Sequence, residues 1–191
     1  MKIKSFVFYF FAIAIFANTL SAQKSKDADA FVVPKIPLDK DTKLITYTKV
    51  LGIQGTKDEL YKKALSWFNT YYKNPKDVLR EQNETDGKIL GKHRFNFNNP
   101  PDKKGSTAYV GILQYSIYIF AKEAKVKYEI KDFNLKDASY HPIEYWLDKS
   151  SQKYTTKCDY YLLELDTKIN EVIADFEKFM NAKEQKANDN W

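Results

Sequence analysis

Few side chains in this sequence are of a type, or at a spacing, that could run chemistry. Two histidines, His93 and His141, and one cysteine, Cys158, are its only imidazole and thiol groups. No pair among them stands at metal-ligand spacing, so no metal site and no cofactor is expected. His93 alternates with Phe95 and Phe97, the setting of a hydrogen-bonded structural histidine. Cys158 opens an apolar helical stripe and reads as a buried thiol rather than a nucleophile. There is no glycine-rich phosphate loop, no GxSxG elbow and no HExxH pair. Asp58 and Glu59 are adjacent carboxylates, but a helix start accounts for both. Asn83-Glu84-Thr85 spells a glycosylation sequon and is read as chance. The expectation is a protein that is not an enzyme.

The elements that would position any site follow from periodicity. Phe31 to Lys43, with Pro34 and Pro37, is an extended lead-in, and Leu44 to Leu51 is a strand rich in β-branched and aromatic residues. Thr56 followed three residues later by Glu59 is a capping box that opens a helix. Leu60, Ala64, Trp67, Phe68 and Tyr71 form its buried stripe, and Asn74-Pro75 ends it. After the short segment Asp77 to Glu81, the turn Asp86-Gly87 leads into a strand from Lys88 to Phe97. The polar loop Asn98 to Gly105 precedes two further strands, Thr107 to Phe120 and Lys125 to Leu135, with Lys122-Glu123 as their two-residue turn. Lys136 to Thr155 reads as irregular, pinned by Tyr140, Tyr145 and Trp146, whose rings could alternatively form a binding patch. Cys158, Leu162, Leu165, Ile169, Val172, Phe176 and Phe179 then trace one face of a long helix ending near Lys183. With the short segment Asp77 to Glu81 counted as a strand, the order is β-α-β-β-β-β-α: an α+β two-layer sandwich, a curved antiparallel sheet with its helices on one face.

The amino terminus sets the compartment. Met1-Lys2-Ile3-Lys4 is cationic, Ser5 to Ala17 is uncharged and apolar, and Asn18 to Ala22 is small and polar. That order is the one a secretory signal peptide needs, and the apolar run is shorter than the roughly 20 residues that span a bilayer. Residues 1–22 are therefore expected to be a leader, 23–43 a polar spacer and lead-in, 44–184 a single domain, and 185–191 a frayed tail. Removing the leader takes two lysines and no acid, so the net charge of +6 falls to +4. The product is expected to be soluble in the periplasm or secreted, without a stable membrane anchor and without a nucleic-acid partner.

Four short stretches carry a family resemblance: Asp58-Glu59-Leu60-Tyr61, Ala64 to Phe68, Asp86 to Lys92, and Tyr128-Glu129-Ile130. Pro142 to Trp146 and the final helix add to it. The segment Leu44 to Leu135 resembles an exported bacterial domain family of unknown function whose fold is like that of the TATA-binding protein. The resemblance implies a curved antiparallel sheet backed by helices. It implies no activity, and the fold name does not import DNA binding.

Strand parity supplies the functional expectation. With Lys122-Glu123 as the turn, Ile119 faces Val126, Ile117 faces Tyr128 and Tyr115 faces Ile130, an apolar set under the helices. Lys92, Arg94, Gln114, Ser116, Tyr118 and Lys131 then share the uncovered face. That face is either simply solvated or a binding surface for an acidic glycan or an envelope protein. A non-catalytic binding module using this open face is the expected function. The alternatives are an envelope enzyme with His93 or His141 as base, and an accessory subunit that pairs with a partner by strand addition.

Overall fold

The computed structural model describes residues 31–182, so the expected leader (1–22), the start of the spacer and the expected tail (185–191) lie outside the described residues. Three long strands form the middle of the sheet: β3 (Lys88–Asn98), β4 (Tyr109–Lys122) and β5 (Lys125–Lys136). β1 (Tyr47–Gly52) and the short β6 (Tyr140–Pro142) both pair with the outer side of β5, and β2 (Leu79–Asn83) pairs with β3. Every pairing is antiparallel. Helices α1 (Lys57–Tyr71) and α3 (Lys157–Asn181) cover one face, with the short α2 (Pro75–Val78) beside β3. The two-layer α+β arrangement is the one the sequence predicts.

Local chemistry explains both long helices. The Thr56 hydroxyl accepts from the Glu59 amide at 3.3 Å, and the Glu59 carboxylate accepts from the Thr56 amide at 2.8 Å. These reciprocal bonds satisfy two amides that the helix start leaves unpaired. Leu60, Ala64, Trp67 and Phe68 turn inward, and Phe68 reaches so close to β3 that a Cβ on Gly91 would stand 2.5 Å from its ring. Glycine at 91 is what lets α1 lie this near the sheet. α3 buries Cys158, Leu162, Leu165, Ile169, Val172 and Phe176. Its acids then fasten it sideways: Asp166 accepts from Tyr47 Oη at 2.9 Å, Asp175 from Trp67 Nε1 at 2.8 Å, and Glu177 from Tyr128 Oη at 3.0 Å. Each bond satisfies a polar tip that an aromatic ring carries into the core.

The β4–β5 register departs from expectation. The turn residues are Glu123-Ala124, not Lys122-Glu123, so Ala121 opposes Val126, Ile119 opposes Tyr128 and Ile117 opposes Ile130. The slip is two residues, and because side chains alternate with period two it leaves every face assignment intact. Further along, Gln114 opposes Asn134 while Ser116 opposes Lys131, so β5 carries one extra residue at Asp132 and Phe133. Asp132 takes a positive φ of 59° in this bulge. The bulge resets parity, which is how Ile130, Phe133 and Leu135 can all be buried on one strand. The segment read as irregular is partly ordered, holding β6 and a 3₁₀ turn at Glu144–Leu147. There Trp146 stacks on Phe97 with ring centroids 5.5 Å apart, whereas Tyr140 is exposed.

Candidate functional site

The uncovered face of the sheet divides into two electrostatic halves. Toward the β4–β5 hairpin three of its cations are neutralised internally, while Lys122 and Lys125 at the hairpin tip make no ion pair among the described residues. Lys88 Nζ lies 2.9 Å from Glu81, and Lys127 and Lys131 both bind Glu129, the latter at 2.7 Å. Partial burial pushes the Glu129 carboxyl up, but hydrogen bonds from the two lysines outweigh it and hold the group below the usual carboxylate range. Lys131 also sits 4.9 Å above the Tyr118 ring, and the Tyr118 hydroxyl donates to Asp132 at 3.0 Å. These side chains are occupied with one another.

Toward β2 the cations are not neutralised. A cleft of about 570 Å³ lies where the end of α1, α2 and the start of β2 run past β3. Lys73, Arg80, Lys92 and Arg94 line it, with Asp77 as the single carboxylate and Gln114 at its floor. Among the described residues, none of these four cations makes an ion pair. Arg80 is positioned by a β-bulge: the ladder shifts between Leu79 and Glu81, which leaves Arg80 as the unpaired extra residue. A bulge commonly serves to re-aim one side chain in this way. The Arg80 guanidinium donates to the Asp77 carbonyl at 2.6 Å, which steadies it beside the cleft.

Behind the cations the cleft has an aromatic and imidazole wall. The Tyr72 and Tyr115 hydroxyls lie 3.2 Å apart, and Tyr115 Oη is 3.4 Å from His93 Nδ1. Burial, and then the Arg94 charge beside it, lower the pKa of His93, so the ring is neutral at physiological pH. Burial holds both tyrosine hydroxyls above their ordinary range, so they stay protonated. Among the described residues His93 makes no hydrogen bond to a carboxylate. The other histidine, His141, lies 3.4 Å from Asp137 at the β5–β6 turn, away from this cleft.

The six residues predicted to share the open face do share it, but they do not form one site. Lys92, Arg94 and Gln114 line the cleft. Tyr118 and Lys131 belong to the internally paired half. Ser116 is a correction: it points to the open face yet is only 1% exposed. Its cross-strand partners are Lys92 and Lys131, so a short side chain stands between two long ones. Lys73 and Arg80 were not legible as site residues, since a helix end and a bulge bring them in. The positions set aside as structural have structural surroundings. Cys158 is buried, and Asn83 braces the β2–β3 turn, donating to Asp86 at 2.7 Å. Among the described residues no cluster of His, Cys, Asp and Glu could hold a metal ion, and no helix is long and apolar enough to cross a membrane.

No curated protein matches this sequence. Solved structures resemble the fold, and two of them illustrate it. A DUF4468 family protein from Bacteroides ovatus superimposes with a TM-score of 0.63 at 16% identity, over 85% of this chain and 99% of its own. A TBP-like protein from Parabacteroides distasonis superimposes with a TM-score of 0.52 at 15% identity, over 78% of this chain and 99% of its own. At such identities the likeness is one of fold. The sequence profile of the domain of unknown function DUF4468, with TBP-like fold, matches residues 47–136, which run from β1 through the cleft-forming strands to the end of β5. Residues 47–136 of this chain are a DUF4468 domain with the TBP-like fold.

Proposed function

We propose that this chain is a non-catalytic binding module of the cell envelope, and that it captures an anionic ligand in the cleft between α1, α2 and β3. The observation that carries the reading is the imbalance of charge: four cations without ion-pair partners among the described residues, Lys73, Arg80, Lys92 and Arg94, surround one carboxylate. Lys88 and Lys131, on the same face, are instead paired at 2.7–2.9 Å, and the unpaired Lys122 and Lys125 stand at the hairpin tip away from the cleft. Unpaired cations packed around a concavity repel one another, and a bound anion relieves that repulsion. Gln114 and the cationic side chains supply hydrogen-bond donors for carboxylate or sulfate oxygens. The reading as a binder rather than an enzyme is supported by His93, whose ring meets the Tyr115 hydroxyl and, among the described residues, has no carboxylate to orient it as a base. Export rests on the leader-like order of residues 1–22. N-terminal sequencing of the envelope fraction tests it, with Gln23 as the expected first residue.

The binding test is an NMR titration of the mature chain with two probes, an oligogalacturonate and a glutamate-rich peptide. At least one should shift the amides around Lys92, Arg94 and Gln114, with affinity falling as salt is raised from 50 to 300 mM, about a twofold drop in screening length. Lys92→Glu with Arg94→Glu should abolish the shifts, whereas Lys88→Glu, at a paired position, should not. Shifts centred on the Glu129 network, or none with either probe, would overturn the assignment.

A further inference from the structure

The cleft lies against an incomplete sheet edge. On the far side of the sheet the outer edge of β5 is filled twice, by β1 over Lys125 to Ile130 and by β6 over Asn134 to Lys136. On the near side β2 pairs only with Lys88 to Gly91 of β3. From Lys92 to Asn98 β3 has β4 on one side and, among the described residues, no strand on the other. Seven residues of strand at about 3.4 Å each leave roughly 24 Å of backbone edge.

Such edges are usually blunted by proline, by a bulge in the strand itself or by brevity. The run Lys92 to Asn98 (KHRFNFN) contains no proline, and the extra residue where the ladder shifts near Phe97 lies on β4. The short α2 stands across the cleft from Lys92 to Arg94, and the edge's other protection is charge: Lys92 and Arg94 on the open face, backed by Lys73 and Arg80. A basic or neutral strand gains nothing there, while an acidic one meets complementary partners. The side chains of β3 alternate, with Lys92, Arg94 and Asn96 on the open face and His93, Phe95 and Phe97 on the helix face. Phe95 is only partly covered.

From this geometry we infer that β3 between Lys92 and Asn98 accepts an extended acidic segment of a partner protein as an added strand. The segment's carboxylates stand opposite Lys92 and Arg94, and its alternate, apolar side chains lie beside His93 and Phe95. The inference rests on the cleft being an anion-binding site and narrows its ligand to a peptide in β conformation. Main-chain hydrogen bonds supply affinity and the alternating pattern supplies specificity. Opposite charges directly across a strand pair favour the register that aligns them.

The test uses the mature chain and a capped peptide alternating Glu with Val or Thr, long enough to pair with Lys92 to Asn98. A second copy of the peptide is N-methylated at alternate amides. The unmodified peptide should bind saturably and slow hydrogen exchange at alternate amides between Lys92 and Asn98. The N-methylated copy should bind at least about tenfold more weakly, since several main-chain bonds are lost. Lys92→Glu with Arg94→Glu should weaken the unmodified peptide by a similar factor while leaving circular dichroism unchanged. Equal affinity of the two peptides would overturn strand addition and leave the anion-binding cleft standing, as would binding of oligogalacturonate alone. Failure of every probe would overturn both. Protection along Tyr47 to Gly52 instead, or self-association through β3, would also refute it.

Discussion

Replacing Gly91 by alanine asks whether α1 is as close to the sheet as its ring contacts require. The added Cβ would stand 2.5 Å from Phe68 Cε1 and 3.1 Å from Ile117 Cγ2, both on fully buried side chains. Phe68 has little room to yield, because its ring lies 5.0 Å from Trp67 and 5.7 Å from Tyr72. Overpacking of this kind costs about 1–3 kcal/mol, and trading glycine for alanine in a strand returns about 0.5–1 kcal/mol. The net expectation for Gly91→Ala is a loss of about 0.5–2 kcal/mol. Gly52 provides the opposite case within the same sheet, since nothing lies within 4 Å of a Cβ there. Gly52→Ala should therefore stabilise by about 0.5–1 kcal/mol. Urea unfolding of the mature chain followed by tryptophan fluorescence gives both numbers. Adding Phe68→Leu to Gly91→Ala should fall short of additive by about 1 kcal/mol, because the smaller side chain makes room for the methyl group. A neutral or stabilising Gly91→Ala, or equal effects at the two glycines, would refute the reasoning.

Two further expectations concern the helix layer and the cleft. Asp175→Ala removes the acceptor of the Trp67 indole at 2.8 Å, and because Asp175 itself is exposed the loss should be near the low end, about 1 kcal/mol, of what an orphaned buried donor costs. In the Trp67→Phe background, which lacks the donor, the same substitution should cost less than half as much by urea unfolding. His93 should make the fold acid-sensitive. Its folded pKa is depressed, so the unfolded chain takes up a proton first; its contribution is fully present above about pH 6.5 and drains away as pH falls below that value. A stability profile from pH 7.5 to 5 should be flatter for His93→Gln than for the parent, and parallel profiles would count against a buried neutral imidazole.

Much of this molecule was determined by its sequence alone, wherever the information is local. The capping box at Thr56 and Glu59, the stripe from Cys158 to Phe176 and the alternation along β3 are patterns of neighbouring residues, and each appears in place. The face assignment survived a misplaced turn because the slip was even. Tertiary structure decided which open-face residues are free to act. Lys131 and Lys92 have the same side-chain chemistry, yet Lys131 is held by Glu129 while Lys92 lines the cleft with no carboxylate partner among the described residues. Ser116 lies between them in the register and is buried. The cleft joins residues from a helix end, a bulge and the middle of a strand, and the bulges at Arg80 and Asp132 leave no periodic trace. Whether a charge is neutralised depends on cross-strand register and on which segments end beside it. Those are long-range facts, and period-two or period-3.6 patterns carry no record of them.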